Sequence, residues 1–305
     1  MARRFTLPIL FSSFWSLAAF AVAPQRTFVS SAALDTNDCS RATPCRSFAT
    51  AVAAVAAGGE VVVLDSAGYG PTTISKAVTV ESPLGVYAGI SAVGSVHGII
   101  VNAGVNDVVV LRNLTINGLP GLNGIDATSA KALYIEQTLI SNLANNQFGI
   151  YVTGIATTYI SDTTARNCGV GAYVSLGCAV IDKSRFEGNF VNGVWAGDGS
   201  VVSVRNSVAA GNGSQGFLVY STSQTSAMNI DHCMATHNGG GIAANAGAPG
   251  FAYARVSGSS IVDNTLIGLH NISDPTVSFL SLINNMVDGN LGGNMSGTIT
   301  PLGPL

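Results

Sequence analysis

Short segments of the chain alternate apolar and polar residues over about five positions and then break at a polar bend, as in SVVSVRNS (200–207), SAMNIDHC (226–233) and YARVSGSS (253–260). A period of two, bounded by Asn, Ser, Asp and Gly, is the mark of half-buried β-strands. No stretch between these segments is both long and periodic enough for a helix. The chain therefore reads as all-β beyond residue 70.

The bends recur at a nearly fixed interval. Gly124, Gly149, Gly171, Gly193, Gly216, Gly241 and Gly268 each precede an apolar residue, at spacings of 25, 22, 22, 23, 25 and 27. Asn142, Asn167, Asn189, Asn212, Asn238, Asn264 and Asn290 keep step at 25, 22, 23, 26, 26 and 26. A unit this short cannot bury its own apolar face, so successive units must stack on one another. The expected product is a parallel β-solenoid, right-handed by the crossover preference, with coils about 4.8 Å apart and equivalent residues aligned in columns. The recurrent glycines are expected to supply a bend with positive φ. Ile150, Ala172, Val194, Phe217, Ile242 and Leu269 should point inward, and the asparagines should form an amide ladder. Tyr151, Tyr173 and Trp195 then share one outward slot on three consecutive coils, preceded by Asp126 and followed by Leu218, Ala243 and His270.

The repeats IDKSRFEGNFVNGVWA (181–196) and VRNSVAAGNGSQGFLV (204–219) resemble those of the pectin-lyase-like superfamily, over about residues 95–297. The stretch DTNDCSRATPCRSFATAVAAVAAGGEVVVLDSAGYG (35–70) resembles the N-terminal segment of secreted bacterial members. The resemblance implies an all-β, single-stranded, right-handed parallel β-helix with a short N-terminal capping helix. That helix is expected over Ser47–Ala57, stopped at Gly58-Gly59, where it would plug the open end of the solenoid. The implied layout is a signal peptide at 1–23, the β-helix at 26–297 with its cap and first coil at 26–70, and a tail at 298–305. The superfamily includes lyases, hydrolases, epimerases and adhesins, so the resemblance speaks for fold far more than for activity.

The N-terminus MARRFTLPILFSSFWSLAAFAVA pairs arginines with an apolar run and small residues, the pattern of a secretory signal, with cleavage after Ala21 favoured over Ala23. The expected location is secreted or periplasmic, an oxidising compartment, so Cys39 and Cys45 are expected to form a disulfide. Cys168, Cys178 and Cys233 lack zinc-site spacing and read as small buried residues. The composition is 47% hydrophobic and 10% charged, with a mean hydropathy of +0.41. Past the N-terminus, however, no apolar run approaches the roughly 20 residues of a bilayer-spanning helix, so no membrane span is expected in the mature chain. A net charge of −3 with no basic block argues against nucleic acid as a partner. The coil near 285–297 shows no capping element, which leaves a monomer and an end-to-end oligomer both open.

Candidate chemistry gathers in two columns. The last outward residue before the bend is Asp182, Arg205 and Asp231 on three successive coils, and the next position holds Lys183, Asn206 and His232. One reading is a polyanion site, with Arg205 or Lys183 as base or carboxylate clamp, His232 transferring a proton and the aspartates holding calcium. The other is a surface ladder of alternating charge, each exposed pair contributing about 0–1 kcal/mol. Related polygalacturonases carry NTD, DD, GHG and RIK motifs; this chain has none of them. The second column is Tyr151, Tyr173 and Trp195: a face on which sugar rings can stack, or a structural stack contributing about 0.5–1.5 kcal/mol per pair. His97 and His237 read as bend or surface residues. The favoured function is an exported β-helix that binds polysaccharide or a cell-surface glycan along one face, without catalysis, cofactor or metal. Lys183 is counted with the aromatic residues as a ligand contact. A lyase or epimerase acting on acidic glycans through Asp182, Arg205, Asp231 and His232, with calcium in that case only, is the first alternative. An adhesive or structural solenoid is the second.

Overall fold

The computed structural model describes residues 22–119 and 121–303; the signal-peptide expectation falls almost wholly outside them. The chain winds through three parallel sheets, here called walls, visited in the order 1, 2, 3 on every coil. Wall 1 has twelve strands, from Arg26–Val29 to Thr300–Leu302. Wall 2 has ten, from Ala67–Gly68 to Met286–Asp288, and wall 3 has ten, from Thr72–Ile74 to Gly293–Ser296. Each strand pairs with its equivalent on the next coil. Cys178–Asp182 pairs with Val201–Arg205, for example, which pairs with Thr225–Asp231. The alternation seen in the sequence is the alternation of inside and outside: Val202 and Val204 are buried, while Val201 and Arg205 are exposed. The apolar columns fill a single continuous core running the length of the solenoid.

The capping helix runs Phe48–Ala54, one residue short of the expected Ser47–Ala57 at its start and three at its end, with Ser47 as its N-cap accepting from the Thr50 N–H. Val55 is already extended, which ends the helix, and Gly59 opens the next wall 1 strand, Gly59–Val63. Phe48, Ala51 and Val52 face the core and cover the end of the first coil. The Cys39–Cys45 disulfide is formed beside this cap. At the other end, the expected tail contributes Thr300–Leu302 to wall 1, paired with Leu280–Leu282.

Two expectations about the ladders change. The repeated glycines do not have positive φ. They are required because the coils touch there: a Cβ on Gly149 would lie 2.6 Å from the Gly171 carbonyl oxygen, and one on Gly193 would lie 2.5 Å from that of Gly216. The amide ladder is real from Asn189 through Asn212, Asn238 and Asn264 to Asn290, all buried. Asn142 and Asn167 stand outside it. They occupy the exposed left-handed position one residue earlier, at φ 61° and 51°, where later coils carry Gly188, Gly211, His237, Asp263 and Gly289. The inward slot on their coils belongs to Leu143 and Cys168, both buried. Asn142 and Asn167 bond instead along the surface, with Asn167 Nδ2 donating to Asn142 Oδ1 at 3.2 Å.

A third ladder joins walls 1 and 2. In seven successive coils, from Val108–Arg112 to Phe251–Ser257, two residues make this corner. The first adopts left-handed backbone, as at Gln137, Lys183, Asn206 and His232. The second is buried, and from Thr138 onward it carries a hydroxyl or thiol: Thr138, Thr163, Ser184, Ser207, Cys233 and Ser259. Ser184 Oγ donates to the Asp182 carbonyl at 2.9 Å, and the Ser184 N–H donates to Ser207 Oγ at 3.1 Å. This small side chain satisfies a buried backbone group on its own coil and on the neighbouring coil. The corners on either side of wall 3 vary instead, from the short link between Thr164–Arg166 and Val170–Ser175 to the longer one between Arg185–Glu187 and Val194–Ala196.

Candidate glycan-binding face

Wall 3 presents one outward column in continuous register. It runs Thr73, Ile100, Asp126, Tyr151, Tyr173, Trp195, Leu218, Ala243, His270. Tyr151 and Tyr173 stack with ring centroids 5.3 Å apart and planes 13° apart. Trp195 meets Tyr173 edge-on at 5.1 Å. Two further rings join the row. Phe148 lies 5.0 Å from Tyr151 and 5.4 Å from Tyr173, and Tyr220 lies 6.4 Å from Trp195. Sequence reasoning missed both. Tyr220 was findable, since it stands two residues after Leu218 and so on the same side of a strand. Phe148 was not, because Gly149 and Ile150 both turn inward and break the alternation.

The row is held in place by its neighbours. The Tyr173 ring lies over Gly197, where a Cβ would meet its hydroxyl at 2.5 Å. Asp198 follows and ties this rim to the next coil, accepting from the Ser221 and Thr222 hydroxyls and from the Thr222 and Ser223 N–H groups. Desolvation opposes ionisation of Asp198, but these donors outweigh it and hold the carboxyl far below the usual range. Desolvation, reinforced by Tyr173 and Asp126, pushes the Tyr151 phenol up, so its hydroxyl stays available as both donor and acceptor. At the other end of the row, Asp126 Oδ2 accepts from Asn123 Nδ2 at 2.8 Å and lies 3.3 Å from His97 Nδ1. His97 belongs to the same face, lining a cavity of about 310 Å³ with Thr73, Ile100 and the helix residue Ala49. It is more than a bend residue; His237, in its left-handed corner, bonds the Thr236 hydroxyl.

The charged column forms where expected, at the edge between walls 1 and 2, in the register Asp182–Arg205–Asp231. Its groups engage one another. Arg205 Nε lies 3.4 Å from Asp182 Oδ1, which also accepts from Asn206 Nδ2 at 2.9 Å. Asp231 accepts from the Ser257 hydroxyl at 2.5 Å and pairs with His232 at 2.9 Å; first Ser257 and then His232 hold its carboxyl below the usual range. The alternation extends to Glu81, Arg112 and Glu136, with Arg112 bonded to Glu136 at 2.7 Å and to Glu81 at 3.0 Å. These three, unremarked in the sequence, follow the same rule of sign reversal from coil to coil. A calcium ion needs six to eight oxygen ligands. Here Arg205 stands between the two aspartates, and no three His, Cys, Asp or Glu side chains converge among the described residues, so the donor set does not fit. Lys183 is exposed on the corner between walls 1 and 2, away from the aromatic row; the fold does not bring it to Tyr151, Tyr173 and Trp195. Cys178 is exposed at the start of a wall 1 strand, contrary to expectation, while Cys168 and Cys233 are buried.

Residues 97–266, more than half of the chain, match the family described as right handed beta helix region. The chain belongs to the right-handed β-helix family. Among solved structures, an alginate lyase from Paenibacillus sp. str. FPU-7 superposes on this β-helix with a TM-score of 0.64 at 15% identity, covering 82% of this chain and 95% of that one. A rhamnogalacturonan lyase gives a TM-score of 0.56 at 13% identity, over 86% of this chain and 75% of the other. A pectate lyase gives 0.52 at 14%, over 90% and 76%. Identities this low establish a shared fold. No curated protein matches the sequence. No helix among the described residues is long and apolar enough to cross a membrane.

Proposed function

We propose that this β-helix is an exported polysaccharide-binding protein whose ligand lies along wall 3, across Tyr151, Tyr173 and Trp195. The observation that carries the reading is the register-locked aromatic row, flanked by Phe148 and Tyr220. Half-buried rings already packed on one another cost little to order, and together they form a continuous apolar strip that carries phenol hydroxyls, which suits the C–H surfaces and hydroxyls of a sugar chain. Export is supported by the Cys39–Cys45 disulfide and by the N-terminal sequence. A glycan array tests the reading: binding signals should vanish in a Tyr173→Ala/Trp195→Ala variant that retains the wild-type circular dichroism spectrum. Signals that survive the double substitution would refute it.

A second reading is a lyase or epimerase working at Asp182, Arg205, Asp231 and His232. The depression beside His232, lined by Asn206, Ser207, Met234 and Gly258, favours it, as does the fold shared with polysaccharide lyases. A lyase would release unsaturated, ultraviolet-absorbing product from polyuronates, and Arg205→Ala would abolish that release. Silence in both assays would favour an adhesive solenoid contacting protein.

A further inference from the structure

The charge distribution around the aromatic row bears on which glycans it accepts, granted that wall 3 is the binding face. None of the ten wall 3 strands contains a lysine or an arginine. The lysines and arginines of the described residues sit on walls 1 and 2, as Arg112, Arg205 and Arg255 do on wall 1, on the corners or, for Arg41 and Arg46, in the segment before the capping helix. The one carboxylate among the outward wall 3 residues is Asp126, directly beside Tyr151 in the register. Its Oδ2 is engaged by Asn123 and faces His97; its Oδ1 has no hydrogen-bond partner among the described residues. A polyuronate laid on this row would bring one carboxylate per sugar toward a surface with no fixed cation and a fixed anion at one end. Recognition of such polymers relies on paired cations or bound metal. An uncharged sugar instead offers hydroxyl donors that a free carboxylate oxygen accepts well, and apolar C–H surfaces that pack against the row of aromatic side chains.

We propose that wall 3 selects an uncharged hexose polysaccharide over a polyuronate. Tyr151, Tyr173 and Trp195, packed on one another, present the outward edges of a continuous aromatic row to the C–H surfaces of successive sugars, and Asp126 accepts a sugar hydroxyl at the end of the row while disfavouring anionic chains. The chain's specificity would thus depart from the substrates named for the alginate and pectate lyases that share its fold.

Affinity gel electrophoresis tests this directly, with laminarin, galactomannan, xyloglucan and dextran as neutral probes and alginate and polygalacturonate as anionic ones, at about 0.15 M salt so that surface electrostatics are screened. At least one neutral polymer should retard the protein at a tenfold lower concentration than either polyuronate. Trp195→Ala should abolish that retardation, with Tyr151→Ala as a second variant should the first fail to fold. Asp126→Asn should narrow the neutral-to-uronate ratio at least threefold. Trp195-dependent binding that is as tight for a polyuronate as for any neutral polymer would overturn the selectivity while leaving wall 3 as the binding face. Retardation by none of the six polymers, or retardation indifferent to both aromatic variants, would remove the face itself and the selectivity with it.

Discussion

Asn212 lies inside the amide ladder, with bonded asparagines on the coils to either side, and its removal measures what the ladder contributes. Its Oδ1 accepts from the Asn189 N–H at 3.0 Å and from Asn189 Nδ2 at 2.9 Å. Its Nδ2 donates to the Phe186 carbonyl at 3.0 Å and to Asn238 Oδ1 at 2.8 Å. Asn212→Ala deprives the Asn189 N–H and the Phe186 carbonyl of this buried partner, while Asn189 Nδ2 keeps the Ala165 carbonyl and Asn238 Oδ1 keeps the residue 212 backbone N–H. A buried polar group that loses its partner costs about 1–3 kcal/mol. Asn238 also holds Asn264 and the Ala209 carbonyl, so the two backbone groups dominate the loss. The sum is about 2–6 kcal/mol. Asn167→Gly, which keeps the left-handed backbone on the exposed ladder one slot earlier, should change stability by no more than about 0.5 kcal/mol. Coils interact mainly with their neighbours, so loss at one coil should appear locally before it appears globally. Native-state hydrogen exchange at the Asn189 and Gly213 amides, alongside urea unfolding, reads both scales. Equal effects of the two substitutions would mean that the buried amides are not what holds adjacent coils together.

Three further outcomes are expected. Gly193→Ala should destabilise by about 1–3 kcal/mol through overpacking against the Gly216 carbonyl, measured by urea unfolding; a neutral result would show that the coils can separate there without cost. Asp65 accepts from Ser30, Ser31 and Tyr69, and these donors outweigh desolvation to bring its carboxyl down from 3.8 to about 2. Its contribution is therefore complete above about pH 4 and lost as the pH falls toward 2, so melting curves of Asp65→Asn should lose that part of the acid slope; an unchanged slope would refute the assignment. A thiol reagent at neutral pH should modify Cys178 alone in the native protein, since burial pushes the Cys168 and Cys233 thiols up to about 12 and about 11; mass spectrometry showing either labelled would contradict the packing.

Much of this molecule was legible because a β-coil converts sequence period into spatial column. The aromatic row, the charged column and the inward apolar residues all follow from counting along a strand, and each lies in the expected register. The slips share a cause. Two adjacent positions of the corner between walls 2 and 3, one left-handed and exposed, the other buried and bonded, both favour asparagine. Asn142 and Asn167 fill the first and Asn189 the second, and the residue type alone does not separate them. The glycines misled for a similar reason: Gly193 is needed for the absence of a Cβ against its neighbour coil, whereas Gly188 is needed for its φ of 59°. Cys178 stands four residues before the outward Asp182 and so on the same side of its strand; reading it as a buried residue set that alternation aside. Lys183 joined the ligand contacts on charge alone, with nothing in the sequence to say which edge of the prism it occupies.

The two-residue corner between walls 1 and 2 never changes length over seven coils, whereas both corners bordering wall 3 do. Innovation in this architecture is therefore cheap on one side only. Segments added or removed along the margins of wall 3 leave the hydroxyl ladder untouched, and the amide ladder too where they follow the asparagine, so a lineage can reshape the surroundings of the stacked rings while inheriting the spine unaltered. Grafting loops onto those margins is the natural way to retune the binding proposed for this face.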